Sequence, residues 1–117
     1  MHVINSDQLL FVDVDDTLIM HMKNPNKGYD LAIPHPHCGN VKPFYVNRNE
    51  KHISILMSAR KRGRTIVVWS AGGYEWAKVV VEALELTEHV DYIMSKPVEY
   101  IDDVHMKNWP VANIYQR

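Results

Sequence analysis

Apolar positions along this chain come in short unbroken runs, and each run stops at a polar group of a different kind. Leu9-Leu10-Phe11-Val12 stops at Asp13, and Thr65-Ile66-Val67-Val68-Trp69 stops at Ser70. A run without alternation predicts a strand covered on both faces. Two shorter runs, Tyr92-Ile93-Met94 and Val98-Glu99-Tyr100-Ile101, lead to Lys96 and to Asp102-Asp103. Both read as strands. Between the runs the period changes. Ile53, Leu56, Met57 and Arg60 recur at helical spacing. Asn47 is the predicted cap, Glu50 follows three residues on as in a capping box, and Gly63 is the predicted stop. A second helix is predicted over 74–86. Its polar face is Glu75, Lys78, Glu82 and Glu85, and Trp76, Val79, Val80, Ala83 and Leu84 face the sheet.

The stretch 19–46 is rich in turn residues, among them Asn24-Pro25-Asn26, Gly28, Pro34, Pro36 and Pro43. Within it, 31–33 and 43–46 could pair as a hairpin around Cys38-Gly39-Asn40. In the tail, Pro110 separates a short helix over 105–109 from a last strand over 111–115. Strands alternating with helices predict an α/β fold, a single Rossmann-like domain over 1–117 whose mainly parallel sheet is flanked by helices.

Composition narrows the field of functions. A chain of 117 residues with 46% hydrophobic and 23% charged residues suits one globular core. A formal net charge of −1 brings no general pull toward nucleic acid or an anionic membrane. The basic run Arg60-Lys61-Arg62-Gly63-Arg64 reads as a helix end that complements the helix dipole. The single cysteine, Cys38, allows no internal disulfide. No apolar run approaches the ~18 residues of a membrane span, and the N-terminus lacks a signal-peptide pattern. The expected location is the cytoplasm. His35-Pro36-His37-Cys38 contains zinc-ligand residue types, but no second ligand pair stands at recognisable spacing, so the stretch reads as an exposed loop. Trp69, Trp76 and Trp109 read as core or interface residues.

In open α/β sheets ligands bind beyond the carboxyl ends of the strands. Parallel strands would bring Asp13, Asp15, Ser70, Lys96, Asp102 and Asp103 to one edge. Two carboxylates ~4 Å apart repel by about 4 kcal/mol at an effective dielectric of ~20. Four acids therefore need cations. Lys96 supplies one charge, and Mg²⁺ is the expected cofactor because the remaining ligands are hard oxygens. Such a site suits a phosphate, with Ser70 as hydrogen-bond donor and one carboxylate free to attack phosphorus.

Asp13-Val14-Asp15-Asp16-Thr17-Leu18 resembles the first motif of the haloacid dehalogenase-like superfamily, an Asp-x-Asp-x-Thr-Leu pattern after an apolar strand. Ser70, Lys96 and Asp102-Asp103 resemble its second, third and fourth motifs, in the same order. The resemblance covers about residues 9 to 103 and implies a Mg²⁺-dependent phosphatase acting on a phosphomonoester. It implies that Asp13 is the nucleophile and forms an aspartyl-phosphate. Asp15 would be general acid and then general base, with Ser70 and Lys96 holding the phosphoryl group. The metal would be held by Asp13, the main-chain carbonyl of Asp15, and Asp102 or Asp103. Thr17 would order the first loop. Two positions depart from the pattern. Asp16 stands where glycine is frequent, and the paired acids follow Lys96 closely. The gap after the first motif has room for loops or a hairpin but not for a cap domain. The implied enzyme is a small capless phosphatase with an open site.

An open site would suit a bulky substrate such as a polynucleotide end or a phosphoprotein; the phosphomonoester could be a sugar phosphate, a nucleotide or a nucleic-acid 3′ end, with nucleic acid entering only as substrate and with no membrane partner. A homo-oligomer could cover the site instead. Two other functions compete. A receiver-like signalling module also sets acids, a hydroxyl and a lysine around Mg²⁺. There, however, the lysine comes last, and no acid stands two residues after the phosphorylated Asp. A catalytically silent binding module would not need the intact set of acids.

Overall fold

The computed structural model describes residues 1–4, 6–37 and 42–114. Three parallel strands form the main sheet: β1 (Leu9–Asp13), β5 (Thr65–Ser70) and β6 (Tyr92–Ser95), in the order β1-β5-β6. The central strand β5 buries Ile66, Val67 and Val68 in succession, as an unbroken β-branched run on a middle strand should. β1 departs from the expectation of two covered faces. It is paired on one side only among the described residues, and Leu9 and Phe11 remain substantially exposed. Phe11 shares its face with Trp69, and the two rings meet edge-to-face with centroids 4.6 Å apart.

Two helices complete the layer, α1 (Glu50–Lys61) and α2 (Tyr74–Ala83). α1 starts later than its sequence pattern suggests. The cap is Asn49, whose side chain accepts the His52 N–H. Asn47 is held in a strand instead, and its side chain accepts the Asp30 N–H at 2.8 Å. Strand pairing that runs through Arg48 decides the point of entry. Gly63, at φ 88°, ends the α1 turn as expected. The basic run behind it finds partners within the chain. Arg60 pairs with Asp91, and Arg64 Nη1 donates to Gln8 Oε1 at 2.7 Å. α2 ends at Ala83, earlier than the predicted 86, and Glu85 takes a left-handed φ of 58°. Its buried face is Trp76, Ala77, Val80 and Val81.

The stretch between β1 and α1 holds more than loops or one hairpin. β2 (Ile19–His21), β3 (Leu31–Ile33) and β4 (Phe44–Arg48) form a second, antiparallel sheet in the order β2-β4-β3. The anticipated hairpin is its β3–β4 pair; the turn residues Cys38-Gly39-Asn40 lie outside the described residues. Ile19, Ile33 and Val46 are fully buried in the same core cluster as Val12, Leu56, Ile66 and Val80. The small sheet therefore shares the main core and is not a separate cap.

Two predicted strands do not form. Residues 98–101 are irregular, with Val98 and Ile101 fully exposed, because the run lies against no strand edge. The described part of 111–115 is likewise irregular, after a single 3₁₀ turn over Met106–Asn108.

Candidate active site

Parallel pairing brings three strand ends level. Asp13 stands beside Trp69, and Ser70 stands beside Ser95. Lys96 follows immediately, and its N–H donates to the Ser70 carbonyl at 2.9 Å. The Lys96 ammonium then reaches across Trp69, 5.8 Å from the ring centroid, and lies 3.1 Å from Asp13 Oδ1. The other oxygen of Asp13 accepts the Thr17 hydroxyl at 3.0 Å. Thr17 thus orders the first loop, as expected, and it does so by gripping the predicted nucleophile. Asp13 is one-third exposed and lies on the wall of a cavity of about 640 Å³ lined by residues of β1, α1 and the tail.

The loop that follows β1 is a tight turn. The N–H groups of Thr17, Leu18 and Ile19 all point at the Val14 carbonyl. Asp16 takes a left-handed φ of 58° there, a conformation that short polar residues tolerate better than most. This explains how an aspartate can stand where glycine is frequent in the resembling motif. The turn sends the chain into β2 and brings His21 back over Asp15. His21 Nε2 lies 2.7 Å from Asp15 Oδ1, and the Trp76 indole N–H donates to the same oxygen at 3.1 Å. Asp15 Oδ2 takes neither bond.

Ser70 is fully buried. Its hydroxyl accepts the Gly72 N–H at 2.9 Å and so shapes the loop between β5 and α2. It does not cap the helix. The cap is Gly73, whose φ of 102° suits only glycine, and the Tyr74 N–H is taken by Ser95 Oγ at 2.9 Å. Asp102 and Asp103 follow Lys96 without strand structure. Both are exposed on the irregular segment after Lys96, where Asp102 accepts the Val104 N–H. Among the described residues, no three His, Cys, Asp or Glu side chains gather as a metal-binding group. Of the six candidate residues, contacts join Lys96 to Asp13 and to the Ser70 carbonyl, Asp15 stands two residues after Asp13, and Asp102 and Asp103 lie on the segment after Lys96.

Residues 8–109 match the model of the NLI interacting factor-like phosphatase family. The chain belongs to this family. It is a haloacid dehalogenase-like phosphatase family with a small catalytic domain, and membership makes the chain a hydrolase acting on phosphate esters. No curated protein matches, and no solved structure does. The phosphatase family also decides against the receiver-like reading. No helix among the described residues is long and apolar enough to cross a membrane.

Sequence patterns did not single out His21 or assign Trp76 a polar role in this phosphatase. Trp76 was readable only as an inward-facing residue of α2, which it is. A buried indole N–H still needs an acceptor, and that requirement was the available signal. His35 was read as part of an exposed loop, yet its ring stacks on Trp76 at 5.3 Å with the planes 16° apart. His37 is exposed and pairs with Glu75, and Cys38 lies outside the described residues.

Proposed function

We propose that this phosphatase hydrolyses a phosphomonoester through an aspartyl-phosphate on Asp13, with Asp15 as general acid and then general base. The observation that carries the reading is that the two carboxylates have different partners. Asp13 is paired with Lys96, whereas two ring nitrogens hold one oxygen of Asp15 and neither holds the other. Two carboxyl groups in unlike environments can take different roles in one reaction.

In the first step an Asp13 oxygen forms a bond to phosphorus, and the bond from phosphorus to the leaving oxygen breaks. Asp15 gives its proton to that oxygen, and an alcohol departs. Once Asp13 is phosphorylated, as a mixed anhydride, it no longer holds the Lys96 ammonium, which is then available to the phosphoryl oxygens. In the second step Asp15 takes a proton from water as the water attacks phosphorus. Asp13 and inorganic phosphate are released. Ser70 would hold the phosphoryl group once substrate binding uncovers its buried hydroxyl, whose oxygen accepts the Gly72 N–H.

The donors here suit Mg²⁺, because all are hard oxygens. The Asp13 carboxylate and the Asp15 main-chain carbonyl would hold the ion together with Asp102 or Asp103, once the segment bearing them folds in. The bound ion supplies charge that polarises the phosphoryl group. The substrate is a phosphomonoester, such as a sugar phosphate, a nucleotide, a nucleic-acid 3′ end or a phosphoprotein; an open site favours the bulkier of these. A reducing, cytoplasmic setting accords with the single cysteine. The test is p-nitrophenyl phosphate with Mg²⁺. Turnover is expected, and it is lost in Asp13→Asn and on adding EDTA. Full activity in Asp13→Asn would remove the mechanism, and turnover without metal would remove the cofactor.

A further inference from the structure

The buried face of α1 is His52, Leu56 and Ala59. Their spacing sets one stripe against the core, and a histidine fills its first position. Among the described residues, the buried polar side chains are His52 and Ser70. Ser70 has a part in the proposed chemistry, and His52 has none there. A buried polar ring needs a partner, and His52 meets one in the first loop. Its Nδ1 lies 2.7 Å from the Thr17 carbonyl oxygen, a residue 35 positions away in the chain. The Asn49 amide nitrogen is also near Nδ1, at 3.0 Å. A carbonyl can only accept, so Nδ1 carries the hydrogen and donates it to Thr17. Thr17 in turn gives its hydroxyl hydrogen to Asp13 Oδ2 at 3.0 Å. His52, Thr17 and Asp13 all stand on the wall of one cavity.

We infer that His52 is a positioning residue for the nucleophile: it fixes the Thr17 backbone, and the Thr17 hydroxyl then fixes the Asp13 carboxylate. The inference rests on the reading of Asp13 as the nucleophile. The last torsion of an aspartate is broad and roughly two-fold, so the partners of its oxygens decide how they point. Holding the first loop on the core does not need this ring. Val14, Leu18 and Ile19 are fully buried, and the Asn49 N–H already ties the start of α1 to the Leu18 carbonyl at 2.9 Å. What the ring adds acts on one residue, the one whose hydroxyl grips Asp13. A leucine at position 52 would keep the apolar stripe and leave the Thr17 carbonyl without that donor. The loop would stay folded, but Thr17 could turn and release Oδ2. A reacting oxygen must stand about 3–3.5 Å from its target in the right direction, so a small misplacement of the nucleophile slows the chemical step more than it weakens substrate binding.

The test is steady-state turnover of p-nitrophenyl phosphate with Mg²⁺ by the full chain. In His52→Leu, kcat should fall about tenfold, within the ~10²-fold that a displaced reacting group can cost. KM should stay nearly constant, the pattern of an interaction that matters in the transition state and not in binding. His52→Asn sets an amide nitrogen close to where Nδ1 stands and should return most of the lost kcat. Thr17→Val should lose at least as much as His52→Leu. Adding His52→Leu to Thr17→Val should cost less than about twofold more, because the hydroxyl it acts through is already gone. Urea unfolding checks that each variant is folded in the assay. His52→Met, whose side chain adapts to irregular space, takes the place of His52→Leu if that variant does not fold. Three results would overturn the inference: an unchanged kcat in His52→Leu, no recovery in His52→Asn, or losses that multiply in the double variant. Each would leave His52 as a tie between helix and loop. Asp13→Asn is assayed alongside. Full activity there sinks the reading of Asp13 as nucleophile, whereas an inactive Asp13→Asn beside a fully active His52→Leu sinks the role of His52 alone.

Discussion

His21 Nε2 lies 2.7 Å from Asp15 Oδ1, and the two residues belong to different parts of the fold. Asp15 follows the main parallel sheet, whereas His21 ends the first strand of the small antiparallel one. The small sheet is therefore tied to the proposed acid by a side chain as well as by shared core packing. When Asp15 is ionised, its carboxylate can only accept, so the His21 ring nitrogen must donate. In the proposed mechanism Oδ2 is then the oxygen that carries the proton.

His21→Ala removes a hold on the acid without touching the nucleophile. The loss should depend on how much the leaving group needs a proton. With an alkyl phosphate, kcat should fall about 10- to 100-fold, a part of the ~10²–10⁴ that a positioned acid contributes. With p-nitrophenyl phosphate, whose leaving oxygen needs little help, the fall should be several times smaller. His21→Gln, which keeps an N–H at similar reach, should recover much of the alkyl-ester rate. Equal losses on both substrates would show that His21 serves only the fold.

Trp76 donates to the same Asp15 oxygen at 3.1 Å while its ring is buried in the core. Trp76→Phe keeps most of the packing and drops only the N–H. It should lower stability far less than the ~3–5 kcal/mol expected when a buried Trp or Phe is truncated to Ala. Its kinetic effect should not combine simply with that of His21→Ala. Either donor alone restrains Asp15, so the double variant should lose more than the product of the single losses. The coupling should amount to about 0.5–3 kcal/mol in transition-state free energy. Independent effects in the cycle would mean that the two residues do not share that task.

Much of this arrangement was legible beforehand, and the parts that were not share a cause. The three parallel strands could be read because each is a local apolar run, and β5 is buried on both faces. Asp13, Ser70 and Lys96 then followed from strand direction alone. The small sheet was harder, since β2 and β3 have three residues each and show no usable period. The run at 98–101 has strand-like residues and no partner, so local preference had nothing to pair with. The Trp76–Asp15 bond joins residues 61 apart in the chain. No local pattern carries a contact of that kind.

Val98 and Ile101, fully exposed beside Asp102 and Asp103, make the 98–105 segment the natural place to look for metal-dependent ordering. If Asp102 or Asp103 joins Asp13 at a magnesium ion, amide exchange across 98–105 should slow when Mg²⁺ is added. The protection should be lost in Asp102→Asn/Asp103→Asn. Hydrogen exchange followed by mass spectrometry reads this without any need for turnover. Exchange that is the same with and without Mg²⁺ would remove these acids from the metal site.

Asp91 gives the fold a pH dependence separate from the site. Burial pushes its carboxyl up, but the Ile66 N–H, at 2.8 Å, and the Arg60 guanidinium outweigh that and hold it below its ordinary 3.8. The folded chain thus prefers this carboxyl ionised more than the unfolded chain does. The resulting stability is fully present above pH 3.8 and is lost as the pH falls through the lowered folded-state value. The group ties the end of α1 to the starts of β6 and β5. Asp91→Asn should cost about 1 kcal/mol at neutral pH, the scale of a single partly exposed charged contact. In urea unfolding, the gap between wild type and Asp91→Asn should hold steady from about pH 8 to 5 and narrow below about pH 4. A gap that stays constant down to about pH 2.5 would mean that the charge of Asp91 contributes nothing, and that its hydrogen bond to Ile66 alone anchors the strand.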